Sequence, residues 1–145
     1  MIAEGVLTQE HIDQYASDGV TMVSGAFSPD EITSLIEGVD ANLADPSECA
    51  RLWNRSEDGH STFYDTQCWQ RTPQYRDFIL NSAMAEIAGR VMGVSSVNFF
   101  FDTIFVRTTG TQFRTPFHQD EPYWSVEGFD CSSAWMPLND CEKRS

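Results

Sequence analysis

The chain has 145 residues, a length typical of one domain, and its 41% hydrophobic and 12% aromatic content favours a packed core over disorder. Its 22 acidic and 9 basic residues give a net charge of −13. Such a chain is a poor match for the phosphate backbone of a nucleic acid, which needs a basic surface, and for an anionic membrane for the same reason.

Two helices are predicted near the start of the chain. Thr8 can cap the first, which ends near Gly19, and a brief β-type run follows over residues 20–23. Ser28 can cap the second, with proline at the first helical position and Glu31 completing a capping box. One apolar face, repeating about every 3.6 residues, runs along this second helix through Ile32, Leu35, Ile36, Val39 and Leu43.

The middle of the chain is predicted to be a polar loop followed by two more helices. The loop covers residues 45–59, and residues 63–69 could form a strand. Thr72 precedes a proline that opens the third helix. Ser82 can cap the fourth helix, which Gly93 ends.

Strands are predicted after that point. Residues 97–107 are rich in β-branched and aromatic side chains, and residues 115–120 and 131–138 read as further strands. Three strands cannot close a barrel or build a two-sheet core, and Trp135 needs a facing layer. We therefore expect one domain whose first part is present, with helices over about 1–95 and the first core strands over about 96–145, the rest following in the same polypeptide.

The cysteines indicate a reducing compartment. Four are present with no Cys-x-x-Cys spacing, which fits neither a zinc framework nor a dense disulfide scaffold. We expect reduced, mostly buried thiols in a cytoplasmic protein. The first residues lack the basic and apolar segments of a secretion signal, and no apolar run approaches the ~20 residues of a membrane span. The cysteines are Cys49, Cys68, Cys131 and Cys141.

The chemically informative segment contains His118 and Asp120. Side chains two residues apart on a strand point to the same face, so an imidazole and a carboxylate can act as adjacent ligands of one metal ion. Non-haem Fe(II) oxygenases use such a pair within a 2-His-1-carboxylate triad. On spacing alone an ordinary His–Asp hydrogen bond is the commoner explanation. The surrounding strands and aromatic residues favour the metal site.

The sequence resembles the phytanoyl-CoA dioxygenase-like family of Fe(II)/2-oxoglutarate oxygenases over most of its length. The His118-Gln119-Asp120 element with its flanking aromatic residues is the specific part of the resemblance. Supporting segments lie at residues 7–31, 69–78, 101–110 and 123–138.

The resemblance implies a double-stranded β-helix (jelly roll), mainly β with N-terminal helices, in which His118 and Asp120 bind iron. By the same resemblance, Trp135 lines the 2-oxoglutarate pocket, Thr103 faces this cosubstrate, and Trp124 lies beside iron and substrate. Arg107 stands where many relatives carry lysine. Asp120 implies hydroxylation, because related halogenating enzymes replace this carboxylate with a small residue.

Two family elements have no counterpart in the sequence: the distal histidine ligand and the arginine that binds the far carboxylate of 2-oxoglutarate. The other histidines are His11, expected to be solvated or to cap a helix, and His60, in a polar loop. The 145-residue chain alone is therefore expected to be inactive. A short chain that completes its site by pairing with a second copy is the alternative to a missing C-terminal half.

The sequence thus predicts an oxygenase that uses Fe(II) and 2-oxoglutarate, releases succinate and carbon dioxide, and hydroxylates a small organic substrate. Its substrate class is not indicated. Two other hypotheses stay open: a non-catalytic jelly-roll module that binds a small molecule without a complete metal site, and a cupin-like metal protein that uses His118 with other ligands.

Overall fold

The computed structural model describes residues 2–53, 55–111, 114–125, 128 and 130–140. Four helices form where they were predicted. Thr8 begins the first and Gly19 ends it in the left-handed conformation, as expected. The capping box of Ser28 and Glu31 is present at the second helix. The helices are α1 (Gln9–Asp18), α2 (Pro29–Ala44), α3 (Pro73–Asn81) and α4 (Met84–Met92).

Three strands form one antiparallel sheet in the order β1-β2-β3. They are β1 (Arg51–Trp53), β2 (Thr62–Thr66) and β3 (Thr103–Arg107). In the register, Tyr64 lies opposite both Arg51 and Phe105. The sheet therefore draws two of its three strands from the part of the chain expected to be mainly helical.

The core lies between α2, α3 and one face of the sheet. Its buried members are Leu35, Cys68, Tyr75 and Phe78. The approach of α2 to α3 depends on Gly38, where a Cβ atom would lie 2.7 Å from Cε1 of Tyr75. Partly buried side chains surround this core: Phe27, Val39, Trp69, Met84, Ile104, Met136 and Leu138.

A buried carboxylate joins α2 to the sheet. Asp65 in β2 is 0% exposed and accepts hydrogen bonds from the Asn42 side chain at 2.8 Å and the Ser47 backbone N–H at 2.9 Å. Burial alone would raise the pKa of Asp65, but hydrogen bonds from Ser47, Asn42 and Thr66 outweigh it and lower the pKa to about 2. Asp65 is therefore an ionised structural residue near neutral pH.

A second carboxylate fixes the chain where it enters β3. Asp102 accepts hydrogen bonds from the backbone N–H groups of Cys68 at 3.1 Å and Trp69 at 3.2 Å. Burial nevertheless raises the pKa of Asp102. The segment after β2 and the start of β3 are thereby held together.

Several predicted strands are wrong. Residues 20–23, 97–102, 115–120 and 131–138 form no strand. A β-rich segment becomes a strand only where a neighbour pairs with its backbone, and none of these segments has such a partner within the described part of the chain. Conversely, β1 forms inside the predicted polar loop of residues 45–59, because it pairs with β2. Helix outweighs strand in the described residues, although a mainly β domain was expected.

Smaller expectations also need correction. The cap of α4 is Ala83 and not Ser82, whose hydroxyl accepts from the N–H of Met84 at 3.2 Å. Of the three described cysteines, all free, Cys68 is buried, Cys131 is half-buried and Cys49 is exposed, so the thiols are not mostly buried. Cys141 lies outside the described residues. None of the described helices is both long and apolar enough to span a membrane.

Candidate metal centre

The segment that carries His118 and Asp120 follows the turn after β3. Arg107, the last residue of β3, donates a hydrogen bond to the Thr115 hydroxyl and so ties the start of this segment to the sheet. Residues 115–120 were predicted to be a strand, and this is wrong. The backbone is irregular, neither strand nor helix, from residue 114 through residue 119. The metal candidates therefore stand on a connection anchored at one end by β3.

His118 and Asp120 lie on the same side of the segment. Nε2 of His118 is 3.2 Å from Oδ1 of Asp120, and both side chains are about half exposed, at 46% and 47%. The predicted shared direction of these two side chains is thus present, although the strand that motivated it is not. Side chains two positions apart come together whenever the intervening backbone is extended.

The ring of His118 is oriented by its other nitrogen. Nδ1 lies 2.8 Å from the carbonyl oxygen of Pro116, which can only accept, so Nδ1 carries the proton of this hydrogen bond. In the neutral ring Nε2 then holds the lone pair. Metal-binding histidines usually have this arrangement, with the second nitrogen donating to a carbonyl or carboxylate.

Asp120 is also held from its far side. The Ser133 hydroxyl donates to Oδ2 of Asp120 at 3.0 Å, which leaves Oδ1 for the contact with His118. Sequence reasoning did not single out Ser133 or the Pro116 carbonyl. Ser133 has no local signal, because a serine 13 positions away becomes a partner only through the fold. The Pro116 carbonyl lies only two positions from His118, but every residue has such a carbonyl, so its residue type gives no signal.

The chemistry of this donor pair fits a metal ion. Two ligands about 2.1 Å from one ion and about 90° apart lie ~3.0 Å from each other, close to the observed 3.2 Å. A nitrogen lone pair facing a carboxylate oxygen at this distance is repulsive unless a proton or a cation lies between them. No cluster of three His, Cys, Asp or Glu side chains suited to a metal occurs among the described residues, so His118 and Asp120 form a pair of donors with no third member in that part of the chain.

The predicted cosubstrate residues are not gathered around this pair. Thr103 is half-buried and begins β3 opposite Thr66. Trp124 packs edge to face on Phe100, with ring centroids 6.4 Å apart. Trp135 is 77% exposed. No described hydrogen bond or ring contact joins any of the three to His118 or Asp120, and their roles stay predictions.

The two other histidines have different surroundings. His11 accepts at Nδ1 from the N–H of Thr8 at 3.1 Å, so its predicted capping role is confirmed. His60 lies against the turn after β3, where a Cβ on Gly110 would be 2.9 Å from its ring. Neither residue belongs to a described metal-binding cluster.

Two of the clefts on the described surface do not include the metal pair. One of about 100 Å³ lies between α2 and α3, beside Glu31 and Phe78. The other, of about 480 Å³, lies beside the end of α4 and includes Arg90 and Val97. Neither is lined by His118 or Asp120, so the candidate chemistry lies on open surface rather than in either cleft.

Comparison with known proteins identifies the family of the chain. The family model described as phytanoyl-CoA dioxygenase (PhyH) matches residues 15–145, and the chain belongs to this family. No curated protein matches the chain. Among solved structures it is similar to SnoK from nogalamycin biosynthesis, a non-heme alpha ketoglutarate-dependent carbocyclase. The identity is 26%, the TM-score is 0.52, and the match covers 64% of this chain and 35% of SnoK. The match thus spans about a third of that enzyme.

Proposed function

We propose that this protein is an oxygenase that depends on Fe(II) and 2-oxoglutarate and hydroxylates a small organic substrate. The observation that carries the proposal is the 3.2 Å contact between Nε2 of His118 and Oδ1 of Asp120, with the ring fixed through Pro116. Membership of the phytanoyl-CoA dioxygenase family and the likeness to SnoK support the same class of chemistry.

In this proposal His118 offers a neutral imidazole nitrogen and Asp120 a carboxylate oxygen to one ion. When bound, Fe(II) supplies the oxygen chemistry coupled to conversion of 2-oxoglutarate to succinate and carbon dioxide. Pro116 holds the ring with Nε2 toward Asp120, and Ser133 holds the carboxylate with Oδ1 toward His118. These contacts reduce the reorganisation needed when the ion binds.

We further propose that residues outside this chain complete a jelly roll and supply the distal histidine and the arginine for 2-oxoglutarate. Large aromatic side chains exposed beside the metal segment support this: Phe117 is 103%, Tyr123 80% and Trp135 77% exposed. A soluble domain seldom leaves so much aromatic surface uncovered. In the completed domain Thr103, Trp124 and Trp135 would line the cosubstrate pocket, as the family resemblance implies. The free cysteines support a reducing, cytoplasmic compartment.

Anaerobic absorption spectroscopy tests the proposal. The complete polypeptide, with the proposed distal histidine and arginine, is titrated with Fe(II) and then with 2-oxoglutarate, and the visible charge-transfer band of the chelated cosubstrate is recorded. We expect a band that His118→Ala abolishes and that the matched variant His11→Ala leaves intact. Binding of Fe(II) without any response to 2-oxoglutarate would favour a metal-binding protein of another kind.

Succinate formation distinguishes the ways of completing the site. We expect the 145-residue chain with Fe(II), 2-oxoglutarate and ascorbate to release little succinate, because the chain offers no described third ligand. Substantial succinate that is lost in His60→Ala would instead indicate a site completed within the chain or by a second copy. Asp120 favours a hydroxylated product, and a chlorinated one would contradict its role.

A further inference from the structure

One face of the sheet carries a continuous row of three aromatic rings, of which the outer two are exposed and the middle one is half-buried. The indole of Trp53 stacks on Tyr64 with ring centroids 4.6 Å apart and planes 14° apart. Tyr64 in turn contacts Phe105 at 5.2 Å. Trp53 is 47% and Phe105 55% exposed, so these rings stabilise the sheet while leaving much of their area uncovered.

The charges on this face have one sign. By strand alternation and register, Arg51 and Arg107 share it with the three rings and with Thr103. We call this set the aromatic face. Both charged residues that the three strands place on it are arginines, in a chain with a net charge of −13. The carboxylate of the sheet, Asp65, lies on the opposite, buried face.

Neither arginine is neutralised by an acid in the described part of the chain. Arg51 donates to the backbone carbonyls of residues 48 and 50, and Arg107 donates to the Thr115 hydroxyl. Guanidinium groups keep further N–H donors in such contacts and bind carboxylates with two parallel hydrogen bonds. A ligand with a carboxylate would gain both charge and hydrogen bonds here.

The aromatic face is connected to the candidate metal centre. Arg107 reaches from this face to Thr115, three positions before His118, so the metal segment starts on the same side of the sheet. Thr103, the first residue of β3, belongs to the same face. A molecule lying on the rings and reaching Arg107 would therefore be next to the residue that anchors the start of the metal segment.

We infer that the aromatic face is the substrate-binding wall of the enzyme and that the substrate is a planar organic anion, an aromatic or conjugated ring system that carries a carboxylate. The exposed Trp53 ring would stack on its plane, Phe105, tilted by 59° to Tyr64, would contact its edge, and Arg107 would pair with its carboxylate. This inference rests on the proposed oxygenase function, since it names the substrate class for that site. The stacking surface and the charges select planarity and negative charge together.

Binding without metal or 2-oxoglutarate tests it separately from the oxygenase chemistry. The protein is titrated with 2-naphthoate, with neutral 2-naphthol and with non-planar cyclohexanecarboxylate by calorimetry. We expect 2-naphthoate to bind tightest, by about tenfold over 2-naphthol. Equal affinity for all three probes, or no binding of 2-naphthoate, would overturn the inference and leave the metal centre untouched.

Variants and shift mapping locate the binding. Trp53→Leu and Arg107→Gln should each weaken 2-naphthoate about five- to tenfold. The matched controls Phe99→Leu and Arg76→Gln, an exposed aromatic and an exposed arginine elsewhere, should not. If a variant fails to fold, amide NMR shifts of the wild type decide. Ligand-induced shifts centred on the three strands support the inference, and shifts centred elsewhere refute it. The inference is also refuted if the protein self-associates through this face and the ligand then no longer binds.

Discussion

The hydroxyl of Ser133 donates a hydrogen bond to Oδ2 of Asp120 across 3.0 Å. This bond joins the segment of residues 131–138 to the candidate metal centre and fixes which carboxylate oxygen faces His118. The same segment also ties the candidate metal centre to the hydrophobic core, because its residues Met136 and Leu138 pack against the core. A rotation of Asp120 would therefore break a bond that the fold holds in place.

Ser133→Ala should weaken metal binding about tenfold without unfolding the protein, because the carboxylate loses its positioning partner but remains a ligand. Ser133→Thr keeps a hydroxyl and should restore most of the affinity. Isothermal titration calorimetry with Mn(II), a redox-stable probe, measures the metal affinity of both variants. Unchanged affinity in Ser133→Ala would mean that this hydrogen bond plays no part in positioning the ligand.

Gly38→Ala should destabilise the fold, although alanine is the better helix former by about 1 kcal/mol. The added Cβ would lie 2.7 Å from Cε1 of Tyr75 and 3.1 Å from Cβ of Gln74, so α2 and α3 must separate. Overpacking of this kind costs roughly 1–3 kcal/mol. Urea unfolding measures the change.

The Tyr75→Leu background provides the control for this contact. With the ring gone, most of the Gly38→Ala penalty should disappear, leaving the effect of helix propensity. A stabilising effect of Gly38→Ala in the wild-type background would show that the two helices do not touch at this point.

Stability at acid pH should follow Asp65. Its folded-state pKa of about 2 lies below the ordinary value of 3.8, so it stabilises the fold fully above about pH 4. That contribution, about 2 kcal/mol, is lost as the pH falls through the folded-state pKa. Asp65→Asn should therefore be less stable at pH 6 and show a weaker loss between pH 4 and pH 2. Parallel acid-unfolding curves for the two proteins would exclude this role.

Asp102 should have the opposite effect on the pH dependence of stability. Its pKa is raised by burial, so its ionised form destabilises the fold above its ordinary pKa, and protonation relieves this as the pH falls. Asp102→Asn, whose amide has one oxygen acceptor and so keeps only one of the two bonds from Cys68 and Trp69, should lower stability overall but flatten its rise on mild acidification. Urea midpoints recorded from pH 7 to pH 4 measure it, and an unchanged slope would contradict the effect.

The helices could be predicted because their signals are local. The cap at Ser28, the capping box with Glu31 and the glycine after α4 each act within one turn. The shared direction of His118 and Asp120 was also predictable, since it needs two-residue spacing in an extended backbone and not a complete sheet.

The strands could not be predicted equally well, because pairing is not local. Arg51–Trp53 forms a strand only because β2 lies beside it. Residues 131–138 have a strand-like pattern but pair with no other segment in the described residues. The contact of Ser133 with Asp120 and the row of rings from Trp53 to Phe105 could not be predicted for the same reason, because they form only in the folded chain. Their sequence positions are far apart and carry no shared motif.

Anaerobic equilibrium dialysis with Fe(II) tests most directly our proposal that His118 and Asp120 hold the iron. We predict that His118→Ala and Asp120→Ala each reduce the affinity by at least about tenfold, because each removes a donor from a pair 3.2 Å apart. His11→Ala, which alters only a helix cap, should bind as the wild type does. Wild-type affinity in both His118→Ala and Asp120→Ala would contradict the account.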